Sequence, residues 1–176
     1  MNGNVITDPS RINGTITIGY NLLNLPQTIT GGKTITYTYD ATGNKLRRVS
    51  TGTGTTDYIG GIQYDAGVLT FIQTEEGKAV PNGANYDYQY YLGDNLGNTR
   101  NTLSTKTGVA VSTQQDDYYP FGLEINRNVL SPKNEYLYNK KELQEELVQY
   151  DYGARFYDPL IGRWTTIDPL AEISRR

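Results

Sequence analysis

Cysteine and histidine are both absent from this chain of 176 residues, and methionine and tryptophan occur once each. Without cysteine no disulfide staples the fold, and the redox compartment leaves no trace. Without histidine there is no Ser-His-Asp triad, no Cys-His pair and no histidine-based metal site. Carboxylates remain the main acid–base groups; tyrosine or lysine would need strongly shifted pKa values to join them. No stretch approaches the ~18 consecutive apolar residues of a membrane-spanning helix. The start, "MNGNVITDPSR", lacks the charged and apolar regions of a signal peptide. A net charge of −3 leaves no basic footprint, so nucleic acid is not an expected partner.

What the chain has instead is tyrosine, 16 of them against three phenylalanines, with abundant threonine and 19 glycines. Tyrosine and threonine favour strands, and a buried tyrosine needs a partner for its hydroxyl. The composition therefore points to a sheet with a hydroxyl-rich face.

Period-two alternation supports this. In "TITIGY" Ile16, Ile18 and Tyr20 share a face, and in "TITYTYD" Ile35, Tyr37 and Tyr39 do. Tyr86, Tyr88 and Tyr90 align in "YDYQYY", and Tyr136 and Tyr138 repeat the spacing. Each such run reads as a half-buried strand. Between them, "DATGNKL", "YDAGVL", "TEEGKA" and "GDNLGNTR" each place glycine after a polar residue, the signature of tight hairpin turns. The spacing implies a meander of antiparallel hairpins, an all-β fold. Only "KKELQEELVQY", Lys140 to Tyr150, has a helical composition, with Leu143 and Leu147 four apart; a strand–turn reading fits it too.

Laid together, "YNLLNLPQTI", "YDATGNKL", "YDAGVL" and "YLGDNLGNTR" form a degenerate repeat: tyrosine, polar residue, Gly or Asn turn, aliphatic return strand. "YTYDATGNKLRRVS" resembles a YD repeat of the Rhs family. "YYLGDNLGNTR" resembles the family's "DHLGN" box, with Asn95 where histidine is usual, and "YYPFGLE" matches a further box. "YLYNKKELQEELVQYDYGARFYDPLIGRWTTIDPLAE" is similar to the Rhs repeat-associated core, and its "DPLAE" ending resembles versions common in Bacteroidetes-like bacteria. The resemblance divides the chain into degenerate YD hairpins over 1–112 and a core region over 113–176.

The resemblance implies a role. Rhs repeats form a β-sheet strip that spirals into a hollow shell around a C-terminal toxin domain, and the core closes the shell. Related shells occur in insecticidal toxin complexes and in teneurins. The expected partners are upstream YD repeats and a downstream toxin domain, with no cofactor, in a secreted or cell-surface protein. The chain is then a terminal shell piece or a shortened remnant, starting at Met1 inside a repeat turn. Its unpaired edges, expected at "MNGNVITD" and "VSTQQDD", would make the isolated fragment self-associate.

In many members the core also cuts the chain ahead of the toxin by aspartate-dependent autoproteolysis. That implies Asp158 and Asp168, each before a proline, as the acid pair, with Arg163 polarising the scissile carbonyl. This chain has Leu170-Ala171-Glu172 where autoproteolytic members continue with glycines, and the family's cut site lies further downstream. The alternative is structural. Asp-Pro ends a strand, and Arg155 and Arg163 stack on Tyr157 and Trp164 or pair with Asp158. Two further alternatives stand beside these. A tyrosine ladder suits a glycan-binding adhesin, and Asp94 with Asp116-Asp117 could bind calcium or serve as turn and surface residues.

Overall fold

The computed structural model describes residues 3–9, 14–130, 132–168 and 170–171. Thirteen strands follow one another in a single antiparallel sheet whose spatial order is the order of the chain. They are β1 (Thr7–Asp8), β2 (Ile16–Tyr20), β3 (Pro26–Thr30), β4 (Ile35–Tyr39), β5 (Lys45–Ser50), β6 (Gly54–Ile59), β7 (Ile62–Asp65), β8 (Val68–Gln73), β9 (Gly77–Asn82), β10 (Asn85–Gly93), β11 (Thr99–Ser104), β12 (Val111–Tyr118) and β13 (Glu124–Val129). A second sheet of four short strands follows: β14 (Glu142–Gln144), β15 (Gln149–Asp151), β16 (Phe156–Asp158) and β17 (Arg163–Trp164). The all-β meander expected from the alternation is what forms. The motif boundary at 112/113 falls inside β12, and the two sheets part after Val129.

One turn recurs along the strip. At Asp40–Asn44, Asp40 Oδ1 accepts from the amides of Thr42 and Asn44, while the Gly43 amide donates to the Asp40 carbonyl. Asp94–Asn98 repeats this with Leu96, Asn98 and Gly97. Asn21–Leu25 repeats it with Asn21 as the acceptor. The fourth residue is left-handed each time, at φ 91° for Gly43, 81° for Gly97 and 58° for Asn24. These are the two residue types that tolerate that region most readily. Beside the Asn21 and Asp40 turns, and beside a further turn at Tyr119–Leu123, a tyrosine stitches the hairpin to the chain before it; beside the Asp94 turn the Tyr91 hydroxyl has no such partner. Tyr20 donates to the Val5 carbonyl at 2.7 Å, Tyr39 to that of Pro26 at 2.8 Å and Tyr118 to that of Thr99 at 2.5 Å.

The 4-stranded sheet is a plug that packs on one face of the strip. Ile16, Ile18, Ile29, Ile35 and Tyr37 enclose Leu147 and Phe156. Further along, Tyr118 packs with Leu137, Leu143 and Tyr150. Strands β2 and β12 thus both touch the plug, although ten strand spacings of ~4.8 Å would separate them by roughly 48 Å in a flat sheet. Four plug strands span only about 15 Å on the same spacing. The strip must therefore curl around the plug.

Three expectations need correction, and one shared face is now assigned a side. Lys140–Tyr150 is strand, turn and strand. Leu143 and Leu147 enter different clusters, so they share no helical face, and Val148 at φ 52° breaks any helix. Tyr136 makes only an isolated bridge to Glu142, and Tyr138 opens a short 3-10 turn, so they form no strand. The "VSTQQDD" segment is no edge, because β13 pairs with it; β13 is the edge at that end. Tyr86, Tyr88 and Tyr90 lie on the outer face, 41–48% exposed, opposite Pro81, Ala79 and Gly77. Their rings cover small neighbours there, while the next residue, Tyr91, turns inward.

Gly43→Val and Gly97→Val should each lower stability by about 1–3 kcal/mol, because a β-branched residue is strained at positive φ. At Gly97 an added Cβ meets nothing within 4 Å, so the loss there isolates the backbone cost. Thermal melts of both variants check this; unchanged melting temperatures would contradict the turn geometry.

Candidate functional site

The three sequence-named residues lie on the outermost hairpin of the plug. Asp158 ends β16 and is 3% exposed; its Oδ1 accepts from the Leu160 amide at 3.0 Å. Arg163 stands opposite it in the β16–β17 register and is exposed. Asp168 lies beyond the other end of that ladder. Its Oδ1 accepts from the Leu170 amide at 2.9 Å, and its Oδ2 is 2.9 Å from Arg155 Nη2. The register thus carries the two carboxylates to opposite ends of the hairpin. At Asp158 and Asp168 alike the carboxylate accepts from the amide two residues on. Arg155 lies over the Trp164 ring, 4.3 Å from its centroid, and pairs with Asp168, not Asp158. Trp164 meets Tyr152 at 4.9 Å and Tyr157 at 5.3 Å.

The inner contacts that hold the plug are mostly polar. Tyr37 donates to Gln144 Oε1 at 2.9 Å, with both side chains fully buried. Gln114 exchanges two bonds with the Asn134 backbone, at 3.0 and 2.7 Å. The "DNLGN" turn acts as a clamp. Asn98, held by Asp94, accepts from the Asn139 amide at 3.0 Å, and Thr99 bonds the carbonyls of Leu137 and Tyr136. Asn139 sits at φ 50° and is fixed from the other side by the Tyr152 hydroxyl at 2.5 Å. The box was visible in the sequence, but its partner at Asn139 was not.

Charge is buried between the sheets. Lys45 Nζ lies 2.5 Å from Glu142 and 2.7 Å from Asp151, with all three side chains under a tenth exposed. Burial pulls this ammonium down, and the two carboxylates outweigh it and hold it above its ordinary value. Tyr58 completes the cluster by donating to Glu142 at 2.7 Å, and its ring lies 4.3 Å from Lys45 Nζ. A cleft of about 740 Å³ opens beside them, lined by Tyr39, Tyr136, Lys141 and Tyr152 among others. Nearby, Arg48 pairs with Glu146.

Asp116, expected at the surface, is 2% exposed. Its Oδ1 has no partner, and burial, with Glu124 beside it, pushes the carboxyl up to about 7. Only Asp117 faces out, between Arg100 and Arg127. Glu135 is also pushed up to about 7, by burial and then by Glu142 and Glu145. Asp94 is a turn residue. Among the described residues no group of three or more acidic side chains is arranged to hold a metal.

Lys45→Met should cost about 3–5 kcal/mol, because it strands Glu142 and Asp151 as buried, unpaired charges. Replacing Lys45, Glu142 and Asp151 together by apolar residues of similar size should cost less than Lys45→Met alone. Denaturant melts would separate the two.

Asp116 and Glu135 also set a pH dependence. A carboxyl whose folded pKa is raised binds its proton more tightly when folded, so stability is greatest below about pH 4 for these groups. It falls as pH rises toward 7. Melting temperatures should decrease from pH 5 to pH 7.5, and less so in Asp116→Asn and Glu135→Gln. An equal slope in both variants would refute the assignment.

No family model matches the chain. Salivary gland surface protein 1 of Aedes aegypti is 36% identical over 90 residues, 50% of this chain and 3% of that protein. The Photorhabdus luminescens Tc holotoxin pore structure superposes with a TM-score of 0.76 at 17% identity, over 96% of this chain and 9% of that one. The crystal structure of TcdB2-TccC3 gives 0.70 at 20% identity, over 90% of this chain and 9% of that one. The same complex without its hypervariable C-terminal region gives 0.71 at 17% identity, with the same coverage. The chain therefore spans less than a tenth of the length of these relatives. Its fold, a meander strip curled around a small plug sheet, is that of a stretch of these toxin-complex chains, and the YD-repeat resemblance is borne out at the level of fold.

Proposed function

We propose that this chain is a shell segment of a larger YD-repeat protein that encloses and presents a C-terminal toxin domain. The observation that carries this reading is the plug. A four-stranded sheet sits on the strip's inner face through buried polar contacts, and nearly the whole assembly superposes on Tc toxin chains. Residues 1–112 supply most of the wall, and 113–176 supply its last strands and its closure. Upstream repeats continue the wall at β1, and a secreted or cell-surface location follows from the role. The names of the relatives, a holotoxin and a salivary gland surface protein, agree with it. The isolated fragment self-associates through the end strands of the sheet, β1 and β13, each of which has a neighbouring strand on one side only among the described residues.

Self-cleavage is the second reading, supported by the burial of Asp158 at the end of the plug, where a carboxyl can be held away from water. In that reading Asp158 and Asp168 act with Arg163 once a downstream segment brings the scissile bond to them.

Extending the chain through its natural upstream and downstream sequence tests both. Enclosure predicts that the downstream domain resists a protease that digests it readily when expressed alone; equal digestion would refute the shell reading. Self-cleavage predicts a discrete fragment by mass spectrometry, absent in Asp168→Asn and slowed in Asp158→Asn. An uncut extended chain, or an Asp168→Asn variant cut at the parent rate, removes the second reading.

A further inference from the structure

Between strip and plug lies a second, smaller hollow of about 180 Å³, walled by β5, β6 and β7 on one side and Glu135, Glu145 and Glu146 on the other. On the same measure a single water needs only about 10–15 Å³, so the hollow is several waters in size. That is room for a guanidinium or ammonium head with the last methylenes of its stem.

Its polar lining is incomplete. Gln63 Oε1 and Arg48 Nε are buried with no hydrogen-bond partner, and Arg48 as a whole is 8% exposed. The Glu135 carboxylate takes no hydrogen bond from the described residues. The other walls are satisfied. Asp65 accepts from Thr56 at 2.8 Å and Thr70 at 2.9 Å, Glu145 pairs with Lys133 at 2.6 Å, and Glu146 is held by Arg48, Ser50 and Thr53. Four carboxylates thus line the hollow against one guanidinium in its wall, with Lys133 on Glu145 and Lys78 facing Glu135 from outside, which leaves one negative charge in excess; the buried orphans are one acceptor, Gln63 Oε1, and one donor, Arg48 Nε. Buried polar atoms are rarely left so, and each unmade bond costs about 1–3 kcal/mol.

We propose that this hollow is a subsite for one basic side chain, arginine or lysine, of the polypeptide that strip and plug enclose. The inference rests on the encapsulating reading above. The cationic head donates to Gln63 Oε1 and to the Glu135 carboxylate, and a carbonyl of the same segment accepts from Arg48 Nε. Charge-assisted bonds of this kind are about twice as strong as neutral ones. A neutral or acidic side chain leaves the excess negative charge uncompensated.

Glu135 makes the subsite sensitive to pH. Burial pushes it up to about 7, with Glu142, Glu145 and Glu146 acting in the same direction and Arg48 against them. Lys78, itself pulled down to about 8 by burial, faces it from β9, and Asp65 lines the hollow from β7. A bound cation favours the ionised carboxylate, so binding should weaken as pH falls below about 7.

The probes are Nα-acetyl-arginine amide and Nα-acetyl-lysine amide, with the neutral isostere Nα-acetyl-citrulline amide, added to the 176-residue chain at pH 7.5 and followed by NMR. The cationic amides should bind about tenfold more tightly than citrulline amide. Their affinity should drop about tenfold between pH 8 and pH 6, as Glu135 takes up its own proton. Glu135→Gln and Gln63→Leu should each weaken binding while melting at or above the temperature of the parent at pH 7.5. Equal binding of citrulline amide overturns the proposal, as do variants that bind like the parent or no binding of any amide. If the amides bind while the extended chain leaves its downstream domain open to protease, the subsite stands and the enclosure reading fails. If enclosure holds and no amide binds, the subsite alone fails.

Discussion

The structure depends on one requirement: the inner face of a long meander has to be covered, and the chain covers it with its own last sheet. Hairpins pair only with their neighbours, so a strip of thirteen strands has no core of its own. Burial comes when β14 to β17 dock. Two small apolar clusters then form, one around Phe156 and one around Tyr150, both residues 0% exposed. Between them the contact is made by hydroxyls, amides and ion pairs. A neutral hydrogen bond nets only about 1 kcal/mol, but a buried group left unpartnered loses about 1–3 kcal/mol. Such an interface gains modest strength from each bond and strong selectivity from all of them. A plug shifted by one residue would strand Gln144, Gln114 and Asn98 together.

That division explains what the sequence could reveal. Strand and turn are local events. The alternation in "TITYTYD" and the Asp-x-x-Gly-Asn spacing are read over five to seven residues, and both became the elements they indicated. The plug contacts are not local. Tyr37 and Gln144 are 107 residues apart, and nothing in either segment marks the other. Tyrosine adds its own ambiguity, because it is content on either face of a sheet. Alternation grouped Tyr86, Tyr88 and Tyr90 on one side but could not say which. The small residues opposite them, Gly77, Ala79 and Pro81, put that side outward.

The site was legible in the same partial way. The family boxes marked the region of Asp158, Asp168 and Arg163, and the arginine–tryptophan stack was foreseeable from composition. Register decided the rest. A hairpin of one three-residue and one two-residue strand brings Asp158 opposite Arg163 and leaves Asp168 to Arg155, an outcome fixed by where the turn falls. The Lys45–Glu142–Asp151 cluster had no sequence signal at all. Its members come from a strip strand and two plug strands, and each reads alone as an ordinary surface charge on a polar strand.

The polar character of the seam between strip and plug has a physical consequence for its register. An oily plug would hold by area alone and would fit many registers with similar energy. The contacts here are specific, and several are tied to protonation. Asp116 and Glu135 are neutral at mildly acid pH and charged above about 7, while Lys45 stays charged because its two carboxylates hold it so. Raising the pH therefore adds negative charge along the seam between strip and plug without adding any cation to balance it. The seam loosens because Lys78 beside Glu135 and Lys133 near Asp116 do not offset the burial of these carboxylates, and the hollow beside Glu135 is one place where a further cation would restore the balance.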